Sequence, residues 1–545
     1  MLSVDIVSAQ VQLRDTTIEW QHHEFELNND YSMGTYSQAD SDVEKVSFAK
    51  AKVIENDLIK LTLLPEYGGR VLSFFYKPTQ HEYLYQSECG SAYNIGNGIF
   101  YYDWLMVYGG IFPTFPEPEH GKTWLLDWDY SVIKNTPDTV TVRMQYTDDW
   151  SFSKAPSNYN NGTTNLTCQV DVSVYKYSSI WDFDVSIING QGNKVDYEYW
   201  TCTTLAPGSD ANNTGTPVNS EIVIPSEKYF AGWSPRAWIG RVNSTYDMSD
   251  INLLSEWEDM GIAYADDFQG KYWGVINHEN QEGVFRVSEN IETKGVKLWT
   301  WGRNNVDNDM FDFSNGGADN YIELWGGVSE SFFTDATIGA NENKNWKESY
   351  CPTVNLSAIC NMNNYGGVNL IWDNEKSQVT YELNTFHSNE AYTVKLRIDG
   401  NGRDEEFANE SIDFEALGRI KNFSLEGLNL SSGTYTIHFD LLDKNNKVAL
   451  ATSKSIETGS VSSRDDLASA KPLDIELRAL GNRKMYAQFP ETGKHDVEVY
   501  SLDGKLLSSH EFTGSSLAIQ LPCSGLYFIA IEESNKLFMQ KIFVY

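Results

Sequence analysis

VIENDLIKLTLLPEYGGRVLSFFY, residues 53–76, decides the fold. Apolar and polar residues alternate in short runs, and Asn56-Asp57 and Gly68-Gly69 punctuate them. The stretch reads as strand, turn, strand, turn, strand. TVTVRMQYT (139–147), LTCQVDVSVYKY (166–177) and IWDFDVSIING (180–190) continue the pattern. Amphipathic segments of helical period and ten or more residues are hard to find. From Val46 to Tyr350 the expectation is all-β, a sandwich or barrel large enough to be a super-sandwich.

The 545 residues carry 76 acidic and 41 basic side chains, a net charge of −35. That sign repels a phosphate backbone and argues against a nucleic-acid partner. No run of about 18 apolar residues marks a transmembrane segment. MLSVDIVSAQ lacks the basic and apolar regions of a signal peptide, so a secreted form would have lost its signal upstream. The six cysteines form no C-x-x-C pair, which speaks against a zinc ribbon; Cys351 and Cys360 are near enough in sequence to bridge. Of 16 tryptophans only Trp372 lies beyond residue 350. Broad aromatic faces bury area and stack on sugar rings, so the N-terminal two-thirds is the expected binding part. Residues 1–45 are polar and read as an edge strand with a loose arm, His22-His23 being solvated rather than a metal site.

A second stretch, YGGIFPTFPEPEHGKTWLLDWDY (108–130), holds three prolines and a His-Gly pair. Proline fixes φ and removes donors, so this is an ordered loop re-entering a strand near Trp124. Gly109-Gly110-Ile111, Phe115-Pro116, His120-Gly121 and Trp124 or Trp128 resemble the central motif of galactose-mutarotase-like sugar epimerases. The hexose-6-phosphate mutarotase branch is the most similar. LPEYGGR (64–70) resembles the family's early turn, whose Arg points at the sugar. Residues 272–304, 320–327 and 344–352 resemble DUF5107 domains of that superfamily. The resemblance, over roughly residues 50–355, implies a mutarotase-like super-sandwich. It implies His120 as general acid and Glu323, in its apolar-Glu-apolar setting, as general base. Arg70 and Arg303 are candidates to hold a hydroxyl or carboxylate, and Tyr108, Trp104, Trp124, Trp200, Trp301 and Trp325 to line the cleft. One departure stands out: Trp200 and Thr201 occupy the place of the family's second His.

Residues 351–457 lose tryptophan but keep alternation, in QVTYELNTF, YTVKLRID and GTYTIHFDLLD. Their length suits an immunoglobulin- or fibronectin-like sandwich. A polar linker covers 458–472. In 473–545, DVEVYSLDGKLL and LPCSGLYFIAIEESNKLFMQKIFVY carry an Asp503-Gly504 hairpin turn and a Ser-Gly-x-Tyr element, Ser524 to Tyr527. This part resembles the C-terminal sorting domain of type IX secretion substrates. That implies export across an outer membrane to the medium or cell surface, with the translocon as partner. The fold expected overall is thus a super-sandwich followed by two smaller β-sandwiches.

Ring opening at a hemiacetal needs one group to take the O1 proton and another to protonate the ring oxygen, each about 2.6–3.2 Å from its target. His120 and Glu323 suit those roles. The same groups allow a polysaccharide lyase, with Arg70 or Arg303 neutralising a uronate and His120 with Tyr67 or Tyr108 moving the proton. They also allow a glycosidase built on two of Glu117, Glu119 and Glu323. A glycan-binding protein without turnover is the reading from another class. No cofactor is called for; VDNDMFDFSNGGADN (306–320) has oxygen ligands for calcium but not EF-hand spacing, and reads first as a solvated loop.

Overall fold

The computed structural model describes residues 10–27, 33–37, 40–87, 89–92, 105–106, 109–117, 121–124, 126–149, 163–209, 219–226, 228–233, 244–247, 251–257, 261–266, 268–300, 322–414, 419–425, 428, 430–458, 476–480, 484–501, 506–521, 525–533 and 536–544. Their regular elements are strands and short 3-10 turns. No helix among them is long and apolar enough to cross a membrane. The chain is all-β, as the alternation predicts.

Two sheets dominate. A twelve-stranded sheet runs from the Gln12–Asp15 edge through Lys52–Glu55, Ile59–Leu64, Arg70–Tyr76, Ile111–Thr114, Trp200–Ser209, Ile322–Gly327, Gly295–Thr300, Gly261–Ala265 and Lys228–Trp233 to Ser244–Asp247, with His81–Leu84 pairing Arg70–Tyr76 and Trp200–Ser209 off this path. An eight-stranded sheet includes Thr139–Thr147, Thr167–Tyr175, Trp181–Ile188, Asn343–Val354 and Glu282–Val287. Pairing within these two sheets is antiparallel. Residues 53–76 form the three strands read from their turns, Asn56 taking the amides of Leu58 and Ile59 on its side-chain oxygen. One core joins the sheets: Ile54, Leu61, Phe74, Ile111, Leu298 and Leu324 from the first meet Val142, Val170, Phe183 and Val284 from the second. Because strand side chains alternate, half of each inner strand is committed to this core. The polar N-terminal stretch is partly structured, with Ile18–His23 pairing Val43–Phe48.

A buried polar network pins the two sheets. Arg286 Nε donates to Glu348 at 2.9 Å, both side chains fully buried. Its other nitrogens donate to Asn290 and Thr293. Glu348 also accepts from Thr201, Trp346 and Tyr350. Thr201 lies on the twelve-stranded sheet and Glu348 on the eight-stranded one, so every lone pair used spans or braces the core. Such a network is safe only when complete, since each partner alone is an unpaired buried charge.

Residues 361–458 build two four-stranded sheets around their own core of Val368, Leu370, Tyr381, Leu396, Ile437 and Phe439. They belong to the same compact unit as the large sandwich, Met1–Thr458. Ser179 donates to the Phe386 carbonyl, Ser388 to that of Tyr177, and Met362 and Phe386 pack with Ile276, Phe285 and Cys351. Cys351 and Cys360 are both free thiols, so the bridge their spacing would permit is not formed. Cys351 is buried against Met362, whereas Cys360 faces Asn369 and Leu370, so their sulfurs serve different packings.

The second unit, Gly459–Tyr545, is a five-stranded sheet with a core of Met485, Val497, Val499, Ile529 and Ile531. Lys484–Tyr500 and Leu506–Gln520 pair antiparallel down to Tyr500 opposite Leu506. The linker 458–472 lies almost wholly, and Asp503-Gly504 and Ser524 wholly, outside the described residues.

The polar pin makes a direct prediction. Arg286→Met leaves Glu348 charged and unpaired in the core, and denaturant unfolding should show a loss of about 3–5 kcal/mol. A loss below about 1 kcal/mol would mean that the network is not needed to join the sheets.

Candidate functional site

Alternation that sends Ile111, Leu298 and Leu324 into the core sends their neighbours to the opposite face of the twelve-stranded sheet. Register lines those neighbours up. Phe112 lies opposite Cys202, Cys202 opposite Trp325, Trp325 opposite Lys297, and Lys297 opposite Tyr264. The adjacent row holds Thr204, Glu323, Trp299 and Ile262. This face is buried too. Phe112, Trp124, Trp200, Cys202, Trp325 and Phe332 form one aromatic cluster with Tyr264 at its margin. Trp200 lies over Gly295 and Gly327, where a Cβ would enter its ring.

Into this apolar bed the chain places three charged side chains. Arg70 is fully buried. Its guanidinium lies 4.1 Å from the Phe112 ring centre and 6.0 Å from that of Trp124. Its hydrogen bonds go to the carbonyls of Tyr67 and Gly109, and among the described residues Nη2 has no partner. Burial lowers it to about 10. Lys297 is buried with its ammonium 3.7 Å from the Trp325 ring centre and 4.3 Å from that of Phe332. Glu323, 5% exposed, accepts the Trp325 indole N–H at 2.7 Å. Cys202 sits among all three: burial, then Glu323, raise its thiol, while Lys297 and Arg70 oppose them.

Local sequence explains how Arg70 arrives there. Gly68 has φ +75°, and a Cβ on it would overlap the Trp124 carbonyl. Its amide donates to Leu126, and Trp128 N–H donates to Pro65. The two stretches singled out in the sequence therefore pack against each other. Beside them the backbone turns at Phe115-Pro116, a cis peptide. Lys122 N–H and Thr123 Oγ1 both donate to the Phe115 carbonyl. The buried Lys122–Asp148 pair fixes the return, with Asp148 also accepting from Thr164.

Two further buried carboxyls flank the Phe115-Pro116 turn, Glu198 N–H donating to the Pro116 carbonyl. Glu117 and Glu198 are 6% and 1% exposed. Burial, then Glu198, push Glu117 up to about 9; burial raises Glu198 to about 7, against a bond from Trp200 Nε1.

The structure thus gathers Arg70, Glu323, Trp124, Trp200 and Trp325 on one face. The three tryptophans are 2% exposed or less, their rings packed on Phe112, Tyr264, Phe332 and Lys297 rather than standing open as platforms. His120, Tyr108, Trp104, Trp301, Arg303, Glu119 and the Asp-rich stretch 306–320 lie outside the described residues. Lys297, Cys202, Glu198 and Phe332 were not anticipated. Lys297 had a signal, since it is out of phase with Val296 and Leu298 in GVKLWT and so shares a face with Trp299. At the departure from the epimerase motif, Trp200 lines this face while Thr201 turns inward to Glu348.

Among the described residues buried Arg70 has no carboxylate partner, so it is a cost to folding that stability alone does not explain. Replacing it with Met removes that cost and two carbonyl bonds together. Thermal and denaturant unfolding of Arg70→Met should therefore move by less than about 1 kcal/mol. A loss of 3 kcal/mol or more would make Arg70 a structural anchor.

No protein-family model matches the chain. Among solved structures, it is similar to a TPR-domain containing protein from Parabacteroides distasonis, at TM-score 0.52 and 16% identity over 65% of this chain and 57% of that one. The chain therefore spans little more than half the length of that protein. A galactose mutarotase-like protein from Clostridium acetobutylicum aligns at TM-score 0.42 and 10% identity, over 63% of this chain and 99% of that one. A putative aldose 1-epimerase from Klebsiella pneumoniae aligns at TM-score 0.41 and 11% identity, over 63% and 91%. At such identities the likeness concerns the backbone fold alone.

Proposed function

We propose that this chain is a secreted carbohydrate-active protein that engages a glycan on the Arg70–Glu323 face and moves protons by His/Glu acid-base chemistry. The observation that carries the reading is Arg70: a fully buried guanidinium against aromatic rings that, among the described residues, has no carboxylate partner and keeps Nη2 without an acceptor. A sugar hydroxyl or carboxylate would supply the missing acceptor. Glu323 is the base, held by the Trp325 indole, and His120 the acid. The similarity to mutarotase-like and aldose 1-epimerase-like structures is consistent with an epimerase-like reaction but does not choose it. Arg70 also suits a lyase, because that chemistry needs a cation against the uronate carboxylate. A glycosidase built on two of Glu117, Glu119 and Glu323 is a second alternative. A glycan-binding surface protein without turnover is the remaining alternative.

The C-terminal sheet is, in this reading, an address for type IX export and takes no part in chemistry. Its support is the sequence resemblance together with an antiparallel pair flanking Asp503-Gly504. The module of residues 361–458, which begins after the Asn343–Val354 strand of the eight-stranded sheet, acts as an immunoglobulin-like spacer.

Two experiments test the proposal. The wild type is first assayed on neutral and uronate glycans by anomer exchange, reducing ends and unsaturated-product absorbance. His120→Asn and Glu323→Gln should then each lower the rate on the active glycan by about 10²–10⁴ with little change in affinity. Clear binding with no turnover on the whole panel would instead select the glycan-binding alternative. Deleting residues after about 470 should abolish export in a type IX-competent host and leave glycan binding intact; normal secretion of the truncated chain would refute the address.

A further inference from the structure

Strand Asn343–Val354 turns Glu348 and Tyr350 toward the core and, by alternation, Asn345, Lys347 and Ser349 to the outer face of the eight-stranded sheet. Farther along that face Cys351 packs on Met362 and Phe386 of the following module. Beside this contact the two surfaces part into a cleft of about 430 Å³. Its walls are the 288–292 loop and the 363–365 turn of the module. Both walls are held in place. Ser288 Oγ donates to the Lys347 carbonyl and Asn290 Nδ2 to that of Gly270, each at 2.8 Å. Asn363 takes the Tyr365 amide on its side-chain oxygen at 2.9 Å and donates to the Ala449 carbonyl at 2.7 Å. His387 Nε2 donates to the Asn364 carbonyl, and its ring meets that of Tyr365 edge-on, 6.2 Å between centres.

The chemistry of the lining narrows what fits. Its charged side chains are all in ion pairs: Lys271 with Glu289 at 2.7 Å, Lys347 with Asp182 at 2.6 Å, and Glu292 with Lys344 at 3.4 Å. The lining therefore has no uncompensated charge with which to select an ion. What remains is apolar, aromatic and amide. Tyr365 is 39% exposed and Ile291 74%. Among the described residues the side chains of Asn345, Asn364 and Tyr365 take part in no hydrogen bond. A carboxamide sets a donor beside an acceptor, which matches neighbouring hydroxyls, and an aromatic ring covers the apolar face of a sugar. The volume suits a small-ligand site, about 300–1,000 Å³. We propose that this cleft is a second glycan site, holding a stretch of uncharged saccharide on Tyr365 and the amides of Asn345 and Asn364. The choice of a saccharide rests on the glycan reading of the Arg70–Glu323 face; the choice of place does not. The two sites lie on outer faces of different sheets, so this one holds the polymer and takes no part in proton transfer. It makes the module one wall of a site as well as a spacer.

The test titrates the full chain with neutral gluco-, xylo-, manno- and galacto-oligosaccharides by calorimetry, then follows hydrogen–deuterium exchange with the tightest binder. At least one should bind the wild type and slow exchange in 288–292 and 361–366. Tyr365→Ala should weaken that binding about tenfold, and Tyr365→Phe, which keeps the ring, by much less. The exchange map of the wild type stands if a variant fails to fold. Protection of the cleft with none on the Arg70–Glu323 face would support this site and count against sugar on that face. Protection confined to 295–300 and 322–327 would overturn the cleft and leave the reading of the Arg70–Glu323 face in place. Failure of every neutral oligosaccharide to bind would overturn the cleft too, as would unchanged affinity in folded Tyr365→Ala.

Discussion

A sheet buried on both faces has no inexpensive place for a charge, and that constraint governs this molecule. One face of the twelve-stranded sheet is committed to the sandwich core with the eight-stranded sheet. The other is closed by Trp124 and Phe332 arriving from loops. Any charge between those layers must be paired or used. Arg286 and Glu348, on the core side, are paired and fully hydrogen-bonded. Arg70, on the outer side, keeps a nitrogen without a partner among the described residues. The contrast separates a structural network from a site.

The same strand does both jobs. In Trp200–Ser209 the residues alternate, so Trp200, Cys202 and Thr204 look outward while Thr201 and Leu205 look to the core. Substituting a site residue therefore changes packing on the outer face only, and the core below is insulated by one residue of register. That insulation lets a fold of this size carry different chemistries on one face without refolding.

Much of the architecture was legible from alternation and turn chemistry. Asn56-Asp57 and Gly68-Gly69 fall at the turns they announce, and Arg70 packs on Phe112 and Trp124 on the face that also carries Trp200, Trp325 and Glu323. What sequence could not supply was register. Nothing local tells that Lys297 stands opposite Trp325, or that Thr201 reaches Glu348 across 147 positions. The openness of the tryptophans was also beyond reach, because a buried ring and a stacking platform have the same composition. Sequence singled out Glu117 among several acids, but its exposure to the charge of Glu198 depends on a hydrogen bond spanning residues 116 to 198.

The account stands or falls on the outer face as the place where sugar sits. A crystal structure of the full chain soaked with a uronate-containing oligosaccharide measures this most directly. The account predicts a sugar oxygen within hydrogen-bond distance of Arg70 Nη2 and the reacting end of the ring within reach of Glu323. A saccharide seated elsewhere, with Arg70 still lacking an acceptor, would contradict it.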